Sequence, residues 1–287
     1  MASPFPPLDL AGRLHRAGLR LKKGLGQNFL IDEAALARIA QAAGATSADT
    51  VLEIGAGIGN LTRHLAASGA QVVAVEIDER LLGLLEETVG DLGNVRVVPG
   101  DILKLRLDRL LEDREAGRYI AVGNLPYYIT SAVIERLLEC DPRPATIVLT
   151  VQWEVAERIC ARPGQMSLLA VSVQYFGQPE ILERLPAGSF VPAPEVDSAV
   201  VRISVYPEIP PPAERRAFFR VAKAGFSQRR KQLVNSLAGG MALSRGEVLT
   251  ALGRAGVEAT RRAETLSLDE WGALSRELQR DRPQSQG

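Results

Sequence analysis

Residues 50–62 read TVLEIGAGIGNLT: an apolar run, a turn with glycine at every second position, and a polar helix start. A short apolar run closed by such a turn predicts a buried strand feeding a helix. Gly55, Gly57 and Gly59 let the backbone take positive φ there and leave room for a ligand to come close. Working outward, QVVAVEID (71–78) is a second apolar run that ends in acids, followed by a Leu-rich helix over 79–89. NVRVVPGD (94–101) predicts a third strand, and YIAVGNLPYYIT (119–130) a fourth, broken by Asn124-Leu125-Pro126. SAVIERLLE (131–139) reads as a helix and ATIVLTVQ (145–152) as a fifth strand. On the other side, Asp32 is a cap candidate for a helix reaching about Ala43. Strands alternating with helices predict an α/β fold, a mostly parallel sheet covered on both faces.

Two segments break this pattern. Residues 1–20 are Pro-rich and then weakly amphipathic, and PEIPPP (207–212) holds four prolines that cannot sit inside a regular helix or central strand. Beyond it, residues 213–278 have helical spacing only, and the tail DRPQSQG is expected to fray. The expected domains are an extension over 1–20, a sheet domain over 21–206 and a helical domain over 207–287.

Composition sets the class. Hydrophobic residues make up 46% and charged ones 24%, as a folded chain requires, and 34 basic residues balance 34 acidic ones. The balance is uneven along the chain. Residues 1–31 carry five basic groups against Asp9, residues 214–235 carry seven against Glu214, and residues 71–120 hold eleven acids against seven bases. Two basic patches around an acidic middle suit a protein that grips phosphates at its rim and a small ligand at its centre; ordinary solvated helix faces would look the same. Cys140, Cys160, His15 and His64 lack metal-ligand spacing, so no metal site is expected. No apolar run approaches a membrane span, and no leader is recognisable, which makes the cytoplasm the expected compartment.

A parallel sheet places its ligand beyond the carboxyl ends of its strands. Glu53 to Gly59, Glu76, Asp101 and Asn124 to Tyr128 all fall there. Glu76 can accept hydrogen bonds from both hydroxyls of a ribose, as an acid does in dehydrogenases. A dinucleotide turn, however, would carry its third glycine where Asn60 stands. Asp101 can accept from an adenine amino group. Each acid alone could equally cap a helix. Together, E-x-G-x-G-x-G, a strand-end acid and a G-D resemble S-adenosylmethionine methyltransferases with a Rossmann-like fold.

The stretch Asn124-Leu125-Pro126-Tyr127 has its own chemistry, although Asn-x-Pro is also a common turn. An adenine N6 lone pair is delocalised into the ring and is a poor nucleophile. Asn124's side-chain carbonyl, with the backbone carbonyl of Leu125 or Pro126, can accept the amino hydrogens and orient the nitrogen. That is catalysis by positioning and electrostatics. Tyr127 offers an aromatic face to a base taken out of its stack.

NLPYYIT, KKGLGQNFL, VLEIGAGIGNLT, FVPAPEVDSAVV and FSQRRKQLVNSL, in this order and spacing, resemble the ribosomal RNA adenine dimethyltransferase family in its bacterial small-subunit branch. The resemblance covers roughly residues 20–275. It implies a Rossmann-like methyltransferase sheet with a smaller C-terminal helical domain. It also implies transfer of two methyls to each of two adjacent adenosines near the 3′ end of small-subunit RNA. S-adenosylmethionine would be the donor, S-adenosylhomocysteine the product, and an assembling small ribosomal subunit the partner of a monomer. By motif position it implies cofactor contacts at Asn28, Leu30, Gly55, Glu76, Asp101 and Asn124. Asn124, Pro126 and Tyr127 would hold the target base, with Tyr128 and Phe190 beside it and Arg229, Arg230 and Lys231 on RNA phosphates. One departure is Met166-Ser167-Leu168, where the family commonly shows Tyr-Gly-Arg. Three rivals stay open: a large-subunit RNA methyltransferase of the resistance type, a non-enzymatic assembly factor, and a nicotinamide dehydrogenase.

Overall fold

All five apolar runs become strands, and the first two are buried almost throughout because both sheet faces are covered. The computed structural model describes residues 5–19, 26–112 and 118–280. Arg20, Lys22, Lys23, most of KKGLG and the tail DRPQSQG lie outside them. In chain order the strands are β1 (Phe29–Leu30), β2 (Thr50–Ile54), β3 (Gln71–Glu76), β4 (Val95–Pro99), β5 (Tyr119–Asn124), β6 (Thr146–Gln152), β7 (Gly177–Leu185), β8 (Phe190–Val191) and β9 (Ser198–Val205). The helices are α1 (Leu10–Arg16), α2 (Glu33–Ala43), α3 (Thr62–Ala66), α4 (Leu82–Val89), α5 (Leu107–Leu110), α6 (Thr130–Glu139), α7 (Trp153–Ile159), α8 (Leu168–Phe176), α9 (Pro212–Phe226), α10 (Leu233–Met241), α11 (Arg245–Arg254) and α12 (Leu268–Arg280).

The main sheet has the order β4-β3-β2-β5-β6-β9-β7. The first five strands run parallel and β9 runs antiparallel to β6. Strand order reverses between β2 and β5, which opens the crevice where such sheets bind ligands. The parallel strands bury Val51, Leu52, Val72, Ala74, Ile120, Val122 and Val148, each large side chain worth roughly 1.5–3 kcal/mol. β7, at the sheet edge, alternates part-buried and exposed positions between its buried ends Gly177 and Leu185. The expected cap at Asp32 is present: its Oδ1 accepts the backbone N–H of Ala34 at 3.0 Å and of Ala35 at 3.1 Å.

The chain divides into two compact units. One holds residues up to 156 together with 178–205; the other holds 157–177 together with 206 onward. A single boundary near residue 206 therefore misses one excursion. α8 buries Ala170 and Val171 in the same cluster as Phe218, Leu233, Leu237, Leu266 and Trp271. The departure at Met166-Ser167-Leu168 serves that unit: Met166 is buried in its core, and Ser167 caps α8 through the N–H of Ala170. Pro212 is not excluded from helix after all. It opens α9, where the missing N–H has no intrahelical partner to lose.

Candidate functional site

Beyond β2 the chain turns through Gly55, Gly57 and Gly59, whose φ values of 76°, 62° and 90° are left-handed. The N–H groups of Gly55 and Ala56 both donate to the Val75 carbonyl, at 2.9 and 3.1 Å, which fixes the turn against β3. The next N–H, that of Gly57, donates to Glu76 Oε2 at 2.7 Å, and Asp78 N–H donates to Glu76 Oε1 at 2.8 Å. Burial raises the Glu76 pKa, while these two donors oppose the rise. Each oxygen uses one lone pair on the backbone and keeps another for a ligand hydroxyl.

The cavity at this turn is lined by Asn28, Phe29, Gly55, Gly57, Glu76, Ile77, Leu81, Asp101, Ile102, Leu103, Asn124, Leu125, Pro126 and Tyr128 among others. Asp101 accepts the Leu103 N–H on Oδ1 at 3.0 Å, and Lys104 Nζ lies 3.4 Å from Oδ2. Asn124, the last residue of β5, donates its Nδ2 to the Asn28 carbonyl at 2.8 Å. This settles the orientation of the amide and leaves Oδ1 as an acceptor. Tyr128 is 66% exposed at the mouth.

Seven of the residues expected at the site thus share one cavity: Asn28, Gly55, Glu76, Asp101, Asn124, Pro126 and Tyr128. Six do not line it: Leu30, Tyr127, Phe190, Arg229, Arg230 and Lys231. Leu30 and Phe190 are each 2% exposed and face each other across the short β1–β8 ladder, within the sheet domain's core. What Leu30 offers a polar group is its carbonyl, and that accepts Asn60 Nδ2 at 2.9 Å. Tyr127 is half-buried, with its hydroxyl 2.7 Å from Ser198 Oγ at the start of β9. Arg229, Arg230 and Lys231 lie in the other unit, exposed on the turn between α9 and α10.

The cavity also contains residues that the sequence reading passed over. Ile77 follows Glu76 and Ile102 follows Asp101, and both are apolar walls beside a carboxylate. Ile77 is 51% exposed, unusual for a large aliphatic residue next to a buried strand. The signal was the position itself: each directly follows an acid at or just beyond the carboxyl end of a strand.

Glu53 is different from the other acids. It is 1% exposed, sits outside the cavity lining, and its Oε2 has no hydrogen-bond partner among the described residues. Burial raises its pKa to about 8 from 4.5, and the charge of Glu76 adds to the rise. An unfolded chain ionises this group first, so its contribution to stability falls as pH climbs through that window. Glu53→Gln is therefore expected to gain stability over the unsubstituted protein as pH rises from 5 to 8, by up to about 1.4 kcal/mol per pH unit. Urea melts at several pH values would read this, and a pH-independent difference would mean that Glu53 is ionised in the fold.

Residues 18–280 match the model of the family described as ribosomal RNA adenine dimethylase. A protein named ribosomal RNA small subunit methyltransferase A from Dehalococcoides mccartyi is 44% identical over 257 residues, 89% of this chain and 88% of that one. A protein of the same name from Moorella thermoacetica is 42% identical over 288 residues, covering 97% and 99%. Among solved structures, the 23S rRNA methyltransferase ErmE aligns with TM-score 0.72 and 31% identity, over 88% of this chain and all of that one. A dimethyladenosine transferase from Plasmodium falciparum shares the fold at TM-score 0.72 and 24% identity, over 87% and 96%.

Proposed function

Because the chain belongs to the ribosomal RNA adenine dimethylase family, we propose that it methylates N6 of two adjacent adenosines near the 3′ end of small-subunit ribosomal RNA, taking the methyls from S-adenosylmethionine. The product is N6,N6-dimethyladenosine, formed late in subunit assembly in the cytoplasm by a monomer. The observation that carries this reading is Asn124: its amide is tied to Asn28 with the carbonyl oxygen left to accept, at the edge of a cavity with two carboxylates.

The residues present fit the cofactor. Glu76 has a spare lone pair on each oxygen for a pair of ribose hydroxyls, and Asp101 can accept from an adenine amino group. Ile77 and Ile102 offer apolar faces to an aromatic ring. When bound, S-adenosylmethionine supplies an electrophilic methyl on a sulfonium. The chain's part is to present the nucleophile. Asn124 Oδ1 takes one amino hydrogen of the target adenine. The Pro126 carbonyl already accepts the Ile129 N–H at 3.2 Å, which favours the Leu125 carbonyl as the second acceptor. Holding both hydrogens turns the lone pair toward the methyl. The methylated nitrogen is then strongly acidic and gives its proton to water, so no shifted side-chain base is needed. The Tyr127 ring, tethered through Ser198, serves as the stacking face, worth roughly 1–3 kcal/mol.

Small-subunit RNA is preferred over large-subunit RNA because relatives named for the small subunit reach 44% identity, against 31% for ErmE. The test is transfer of labelled methyl to small subunits lacking the modification, with large-subunit RNA in parallel. Dimethyladenosine in small-subunit RNA alone is the expected result. Label in large-subunit RNA would move the protein to the other branch, and no label with cofactor bound would favour an assembly factor.

Arg229, Arg230 and Lys231 are assigned to RNA phosphates, which position rather than specify. Replacing all three with Gln is expected to weaken RNA binding and to reduce the salt slope by about 0.7–0.9 per lost phosphate contact. An unchanged slope would remove this turn from the RNA surface.

A further inference from the structure

The chain ahead of residue 20 has no role in the reading above, yet residues 5–19 are built into the first unit. α1 carries its own cap, Asp9 Oδ1 accepting the Gly12 N–H at 2.8 Å. Its Leu10 and Leu14 are buried in a cluster with Phe29, Ile58, Leu81 and Leu84. Arg13 Nη1 donates to Thr88 Oγ1 at 2.6 Å. Upstream, the Pro6 carbonyl accepts from Arg63 at 2.7 Å, and Phe5 stands edge-on to the His64 ring, centroids 5.0 Å apart.

Two lines of contact run from this segment to the glycine turn. Phe29, which shares a buried cluster with Leu10 and Leu14, lies so near Gly57 that a Cβ there would meet Phe29 Cε1 at 2.8 Å. Gly57 N–H in turn holds Glu76. Thr88, held by Arg13, lies against Gly59, where a Cβ would meet its Cγ2 at 3.0 Å. Phe29 and Leu81 also line the cavity, whereas Leu10, Arg13 and Leu14 do not.

We propose that Leu10, Arg13 and Leu14 are positioning residues for the cofactor: the N-terminal segment clamps Phe29 and Thr88 onto the glycine turn and so holds the turn and Glu76 in ligand-binding geometry. This rests on the cavity being the S-adenosylmethionine site. Close-packed contacts transmit small displacements because an interior has little free volume to absorb them. Coupling between binding and docking is reciprocal: bound cofactor tightens the segment by the factor that loss of the segment weakens the cofactor.

The experiment is calorimetric titration of S-adenosylhomocysteine into the full chain, with hydrogen exchange on the unsubstituted protein. Leu14→Ala is expected to weaken binding roughly tenfold. KM for S-adenosylmethionine should rise in step, with kcat at saturation changed less than about twofold. Leu14→Met restores affinity. Ile39→Ala, buried on α2 away from the cavity, lowers Tm comparably and leaves affinity unchanged. In the unsubstituted protein, S-adenosylhomocysteine slows exchange at the α1 amides, a readout that does not depend on any variant folding. Equal affinity of Leu14→Ala and the unsubstituted chain overturns the inference, as does equal loss in Ile39→Ala or unprotected α1 amides. No binding to the unsubstituted chain would overturn the functional reading, and the inference with it.

Discussion

Asn124→Ala is expected to reduce methyl transfer by roughly a hundredfold to a thousandfold, the scale seen when one preorganised hydrogen-bonding group is removed from a reacting centre. The fold should survive. Asn124 ends β5, and its backbone stays in register with Thr150 whatever the side chain. The alanine loses one side-chain hydrogen bond, to the Asn28 carbonyl, at a net cost of about 1 kcal/mol. Binding of S-adenosylhomocysteine should fall far less than turnover, because Glu76 and Asp101 stay in place. Asn124→Asp separates the two duties of the amide. A carboxylate still accepts from the target amino group, but it can no longer donate to Asn28, and two acceptors would then face each other at hydrogen-bonding distance. The acid should therefore retain more activity than alanine at equal cofactor occupancy, and much less than asparagine. Single-turnover transfer with both variants saturated in cofactor measures this. Near-normal turnover in Asn124→Ala would remove the amide from the reaction.

The sheet was legible because its evidence is local. Buried parallel strands are continuous apolar runs, and each ended in a turn or an acid that marked its direction. β7 was not legible, since GQPEILERL has neither a continuous apolar run nor a clean alternation, with Ile181-Leu182 and Glu183-Arg184 adjacent, and it takes its place at the sheet edge by pairing with β9. α8 has the same difficulty. Its apolar face reads as core, but nothing within residues 168–176 says which core it joins, and it joins the helical unit.

At the site, Glu76, Asp101 and Asn124 could be placed from the sequence because they fall together at or beyond the carboxyl ends of parallel strands, although each acid alone could equally cap a helix. Direction was harder. In the two-residue β8, a shift of one position exchanges buried for exposed: Phe190 faces inward while Val191 faces out. The paired Tyr127 and Tyr128 divide likewise, the first anchored to Ser198 and the second standing at the cavity mouth. A motif orders residues along the chain, whereas the turn that follows β5 decides where each side chain points.

Gly57→Ala should be strongly damaging for a substitution that adds one methyl. At φ 62° an L-residue costs roughly 1–2 kcal/mol. The new Cβ would also stand 2.8 Å from Phe29 Cε1, and forcing a methyl into a packed interior costs about 1–3 kcal/mol more. Leu10, Leu14, Ile58, Leu81 and Leu84 share its buried cluster, so the ring has room to retreat only on the side where it lines the cavity. The sum, roughly 2–5 kcal/mol, is a large share of the 5–15 kcal/mol by which a domain is stable. A drop in Tm of about 5–15 °C follows for a protein of this size, together with loss of cofactor binding as the Gly57 N–H is displaced from Glu76. Gly93→Ala, where a Cβ meets nothing within 4 Å, supplies the comparison and should be close to neutral. Pairing Gly57→Ala with Phe29→Leu then divides the cost. The smaller side chain relieves the collision but not the backbone, so the double variant should recover part of the stability and stop short of the Phe29→Leu protein. Full recovery would mean that the left-handed turn tolerates alanine, and no recovery would place the whole cost in the backbone.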